Sequence, residues 1–136
     1  MLIEIKILAL AALWQFVQFA LMAVPVNIEV GTTKTLSSRD MDTLGSSIQS
    51  QVSARTGRLI RALDNHFQAL ILFTIAVVVV ALSGESSALT VACAWIYLVS
   101  RVLYVAAYAF DWVPWRSIIW AAGFCATALM LLSVVF

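Results

Sequence analysis

Charged side chains are scarce in this chain. Asp, Glu, Lys and Arg make up 11% of its 136 residues, against about 25% in a typical soluble domain. The formal net charge is +1 and no basic run interrupts the sequence, which excludes a nucleic-acid-binding surface. A single histidine, His66, cannot make a metal site, and no metal is expected; a hydrogen-bonded or interfacial role suits it better than catalysis. The two cysteines, Cys93 and Cys125, sit inside apolar stretches with no CxxC spacing, so they read as packing residues rather than redox or metal ligands. There is no internal repeat or low-complexity tract. No P-loop or GxGxxG is present, and there is no strand to carry one. Ten-residue segments alternating polar and apolar are also missing, which excludes a membrane β-barrel.

Apolar side chains fill the chain instead. They form 63% of it, and the mean hydropathy is +1.01. Four long apolar segments each approach the roughly 20 residues needed to cross the hydrocarbon layer as a helix. The expected fold is an all-α integral membrane protein, a four-transmembrane-helix bundle forming one domain over 1–136. Its helices fall at about 3–24, 57–82, 88–110 and 115–136, with a polar first loop at about 25–56. The first segment is longer than a 7–15-residue signal core and carries Glu4 beside Lys6, so it reads as a retained helix. Pro25 is expected to end it. From Met41 onward, Ile48, Val52 and Leu59 can carry a helix running into the membrane, with Asp40 or Asp42 as its N-cap. Gly84 suits the tight turn before the third helix, and Pro114 the first turn of the fourth. Trp112, Trp115 and Trp120 belong near an interface.

Lys34, Arg39, Arg55, Arg58 and Arg61 lie in or beside the first connection, and Arg116 in the third; the second offers only Glu85. By the positive-inside rule the first and third connections are cytoplasmic and both termini lie on the opposite side. Compactness and the lack of an evident targeting signal point to a bacterial inner membrane.

Two polar stripes cross this apolar background. In the third segment, Tyr97, Arg101, Tyr104, Tyr108 and Asp111 follow spacings of four, three, four and three, which on a helix confines them to a roughly 80° arc. An arginine there costs about 2.5–3.5 kcal/mol on insertion scales unless it is paired or reaches water. In the second segment, Arg58, Arg61, Asn65 and Gln68 span a similar arc. Arg58 and Arg61 can snorkel to headgroups. Asn65 and Gln68 lie too deep for that, and serve either as interhelical glue or as a ligand site. Arg101 needs an acceptor, which a bound anion or a carboxylate across a subunit boundary can supply. Phenols and guanidinium groups converging in low dielectric can hold a carboxylate or stabilise a thiolate.

These residues resemble the MAPEG superfamily, membrane-associated proteins in eicosanoid and glutathione metabolism. RLIRALDNHFQALILF, over 58–73, is similar to the second-helix signature Arg-Ala-x-x-Asn-x-x-Glu followed by a Phe. Residues 100–109, SRVLYVAAYA, resemble the third-helix motif Arg-x-x-Tyr-x-x-x-Tyr. Chain length, the four-helix plan, the polar first loop and the Trp/Pro-containing third connection agree as well, so the resemblance covers essentially the whole chain. It implies a left-handed four-helix protomer in a homotrimer, with glutathione between protomers near the cytoplasmic side. Carried over, Arg61, Asn65 and Gln68 would contact the tripeptide from one helix, and Tyr104 and Tyr108 from the next, with Arg101 as the motif arginine. Arg116 falls where some members keep an arginine that stabilises the thiolate, which makes Arg116 and Tyr104 the candidate catalytic pair. Three departures stand out. Gln68 replaces the family glutamate, Ile71 replaces a proline common in the family, and the first helix has Asn27 where some members keep an arginine.

The resemblance implies a glutathione-dependent transferase or peroxidase acting on a lipophilic electrophile. Two other readings accompany it: a non-catalytic lipid- or quinone-binding membrane protein of the same fold, and a structural subunit of a larger membrane complex in which the stripes are intersubunit glue.

Overall fold

The computed structural model describes residues 1–38 and 47–136, with the side chain of Gln49 left aside. Four long helices carry the fold: α1 at Ile3–Val30, α2 at Ala54–Ser83, α3 at Ala88–Ala109 and α4 at Trp115–Val135. A single helical turn at Thr32–Thr35 and a 3₁₀ turn at Ile48–Ser50 lie in the first connection. All four long helices are long and apolar enough to cross a membrane, so the chain is an integral membrane protein. No strand is present among the described residues.

Each helix end has a local cause. The N-cap of α2 is Ser53, whose side chain accepts from the Thr56 N–H at 3.2 Å. Glu29 supports the same junction, accepting from the Ser53 N–H at 3.1 Å. Gly84 ends α2 at φ +74°, a left-handed conformation that costs glycine nothing. Ser87 and Thr90 then form a reciprocal capping box at the start of α3.

Sequence expectation and structure differ in three places. Pro25 does not end α1; the helix continues through it to Val30 and stops at Gly31, φ +96°. A proline costs a membrane helix one hydrogen bond, which neighbouring groups can offset. Beyond it the Asn27 side-chain amide donates to the Ala23 carbonyl at 2.8 Å, and its oxygen accepts from the Thr35 hydroxyl, which ties the last turn of α1 to the turn that follows. Second, α2 does not run from Met41. Ile48 sits in the 3₁₀ turn, Val52 lies outside any helix, and the strong cap at Ser53 sets the start at Ala54. The Asp40 or Asp42 cap falls outside the described residues. Third, Asp111 is not on α3, which ends at Ala109; Asp111 is exposed in the connection at φ +56°.

Inside the bundle, Ile7, Ala11, Phe73, Ala76, Val77, Val80, Cys93, Tyr97 and Met130 make one core. The Phe73 and Tyr97 rings stack 3.9 Å apart at 10°. Small residues let α3 and α4 approach: a Cβ at Gly123 would collide with the Ser100 hydroxyl. Glu4 is fully buried at the opposite end from the arginines, where its Oε1 accepts from Thr90 Oγ1 at 2.5 Å and Ser86 Oγ at 2.7 Å. Apolar side chains cover much of the outer surface, among them Phe16, Phe19, Leu82, Val102 and Leu132. That surface suits lipid or a protein neighbour, and is not one a soluble monomer tolerates.

Candidate functional site

The arginine-bearing ends of α2, α3 and α4 gather one polar cluster. Arg101, 2% exposed, lies at its inner edge. Its Nη2 donates to Asn65 Oδ1 at 3.0 Å, and its guanidinium carbon lies 4.5 Å from the centre of the Tyr104 ring. Tyr104 and Tyr108 follow one turn apart, with ring centres 5.5 Å apart. Arg61 Nε donates to the Tyr108 hydroxyl at 3.0 Å from α2. The Arg116 guanidinium faces the same ring at 4.9 Å from the start of α4. Three guanidinium groups on three helices therefore converge on two phenols.

A cavity of about 170 Å³ opens beside this set, lined by Asn65, Tyr104, Arg116, Ser117 and Trp120. The groups facing Arg101 are the Tyr97 and Tyr104 phenols, the Asn65 amide and the His66 imidazole. None of them is a carboxylate. Arg101 Nε is buried without a hydrogen-bond partner, so the cation is solvated only in part by the protomer. A buried guanidinium of this kind is a strong attractor for an anion.

Arg58 does not join the cavity. Its Nε donates to the Ala109 carbonyl at 3.2 Å, capping the C-terminus of α3, where a cation also meets the negative end of the helix dipole. Arg55 stands over the Phe110 ring at 5.3 Å. These two arginines therefore fasten α2 to α3.

The expected site residues divide as follows. Arg61, Asn65, Arg101, Tyr104, Tyr108 and Arg116 are brought together. Gln68 is on the stripe but exposed on the protomer surface, with no hydrogen bond to the described residues. Tyr97 belongs to the core, and Asp111 to the connection. Asn27 is committed to the end of α1. His66 is fully buried, its Nε2 3.2 Å from the Ala11 carbonyl, and has a packing role between α1 and α2. Cys93 is buried and Cys125 exposed, and both are free thiols. No cluster of three or more potential metal ligands occurs among the described residues.

Sequence reasoning passed over Ser117 and Trp120, which line the cavity beside Arg116. Their signal was their spacing: Arg116 and Trp120 are four apart, and Ser117 and Trp120 three apart, so on a helix they share a face. It also passed over a larger apolar cavity of about 510 Å³ between α1 and α2, lined by Phe16, Phe19, Leu63 and Phe67 with Gln15 and Asp64.

A family model described as the MAPEG family matches residues 7–136. Among curated proteins and solved structures, none matches this chain.

Proposed function

Since the chain belongs to the MAPEG family, we propose that its arginine–tyrosine cleft binds glutathione and holds the thiolate for attack on a lipophilic electrophile or hydroperoxide. The observation that carries this reading is the convergence of Arg61, Arg101 and Arg116 on Tyr104 and Tyr108, beside an open cavity that Arg116 and Tyr104 line. Three fixed cations and two phenols suit a ligand with carboxylates and a thiolate, because charge-assisted hydrogen bonds are roughly twice as strong as neutral ones. Arg116 and Tyr104 are the groups assigned to the thiolate. Arg61, Asn65, Gln68, Arg101 and Tyr108 are assigned to the peptide.

The cavity alone is too small for a tripeptide, and Arg61 and Gln68 are exposed on the protomer surface. This supports a site completed by a neighbouring copy in a homotrimer. The arginine-rich end is assigned to the cytoplasmic face of a bacterial inner membrane on the positive-inside rule.

The test uses detergent-purified protein. Millimolar glutathione should produce a thiolate absorbance, and a generic aryl halide should be conjugated or a lipid hydroperoxide reduced. No thiolate signal at that concentration would sink the proposal.

A second reading has its own observation. The apolar cavity between α1 and α2 is large enough for a lipid chain or quinone ring. It favours a binding protein that holds a lipophilic molecule without chemistry. Copurified lipid or quinone in stoichiometric amount, with no turnover, would support it. The third reading, a structural subunit, rests on Arg101 and Asn65 acting as glue, and predicts stable copurification with larger membrane proteins.

A further inference from the structure

The charge inventory of the cleft narrows the ligand further, on the premise that it binds a glutathione-like thiol. Three cationic groups, Arg61, Arg101 and Arg116, face the Tyr104–Tyr108 pair. Every other named group there is neutral: the Asn65 amide, the Ser117 hydroxyl and the Trp120 indole line the cavity with Tyr104 and Arg116. None of the acidic side chains of the described residues lines the cavity. Glu4 is buried against Ser86 and Thr90, and Glu29 is held by Ser53. Asp64 lines the α1–α2 cavity, and Glu85 and Asp111 are exposed in the second and third connections. Gln68, on the same stripe as Arg61 and Asn65, is neutral.

Glutathione as a thiolate presents three anionic groups, two carboxylates and the sulfur, and one cationic group, the α-ammonium. Among the described residues of one protomer, the cleft offers cationic partners for the first three and only dipoles for the fourth. In a partly desolvated site an ammonium near fixed guanidinium groups is repelled, and its lost hydration is not replaced by a carboxylate. We propose that the cleft selects an anionic thiol peptide without a free ammonium, such as a deaminated or N-acylated glutathione, over glutathione itself. Three guanidinium groups would then face three negative groups.

Full-length protein in lipid nanodiscs, titrated calorimetrically with glutathione and with glutaryl-cysteinyl-glycine, tests this. The two probes differ only in the ammonium. The deaminated peptide should bind with an advantage of about threefold or more. A smaller advantage, or a preference for glutathione, overturns the selectivity while leaving glutathione binding in place. If neither peptide binds at millimolar concentration, both the selectivity and the thiol-binding function fail.

Discussion

The Arg101 guanidinium donates to the Asn65 side-chain oxygen across the α2–α3 contact at 3.0 Å. With the Arg61–Tyr108 bond it joins the two polar stripes, and it gives the buried cation an acceptor. Replacing Asn65 with Ala removes the acceptor and leaves the charge with ring faces alone. Hydrogen bonds to charged groups contribute roughly 1.5–3 kcal/mol, and membrane-embedded ones often less. Asn65→Ala should therefore lower unfolding stability by about 1–3 kcal/mol in a denaturant titration in detergent. Asn65→Asp should keep the stability but weaken glutathione binding, because it cancels part of the cleft's positive charge. An Asn65→Ala protein as stable as the parent would remove this bond from the account.

Tyr108 lies between Arg61 and Arg116, and loss of its hydroxyl should separate stability from binding. Arg61 is exposed, so its bond to the phenol contributes little to folding, under about 1 kcal/mol. The same bond fixes the guanidinium proposed to meet glutathione. Tyr108→Phe should leave the melting temperature nearly unchanged while weakening glutathione binding by roughly tenfold, a cost of about 1.4 kcal/mol. Equal affinity for the two proteins would place the ligand away from Tyr108.

Helix α4, which brings Arg116, Ser117 and Trp120 to the cleft, packs closely on α3 at Gly123. A methyl group there would collide with the Ser100 hydroxyl, which is itself bonded to the Tyr97 carbonyl at 2.7 Å. Gly123→Ala should destabilise the bundle by about 1–3 kcal/mol, the usual cost of overpacking. Ser100→Ala should be mild alone and should restore most of the loss in the double variant. A coupling energy near zero in that cycle would mean that the contact does not set the α3–α4 distance.

Periodicity carried most of the fold because a membrane helix needs little more than length and apolar composition. It also carried the cluster. Residues 61 and 65 and residues 101, 104 and 108 each recur at helical spacing, and their polarity is conspicuous against an apolar background. The ends of the elements were less legible. Pro25 carries a local stop signal, but α1 continues through it to Val30, because a membrane helix tolerates the loss of one backbone bond. Asp111 continued the stripe on paper, whereas α3 turns off at Ala109, where the Arg58 cap closes it. Tyr97 fits the same spacing as Tyr104 but is drawn into the core by stacking on Phe73, a contact that no single-helix pattern contains. Glu4 argues locally against a signal core, whereas its bonds to Ser86 and Thr90 join residues more than eighty positions away, which no local pattern contains.

Gln68 offers the sharpest test of the two-walled cleft. It shares a helical face with Arg61 and Asn65 but makes no hydrogen bond to the described residues and is exposed on the protomer. If that surface forms the ligand's second wall, a carboxylate at this position would meet an ammonium and gain a charge-assisted bond. Gln68→Glu should then raise glutathione affinity by about five- to tenfold, on the order of 1 kcal/mol, and should weaken binding of glutaryl-cysteinyl-glycine, which has no ammonium to pair. Calorimetric titration of both peptides against the variant reads the two effects separately. The opposite signs distinguish a local pairing from a general change in stability, which would move both affinities the same way. Unchanged affinity for both would mean that Gln68 faces lipid or a neighbouring helix, and the cleft would then be built by α3, α4 and the Arg61–Asn65 turn of α2 alone.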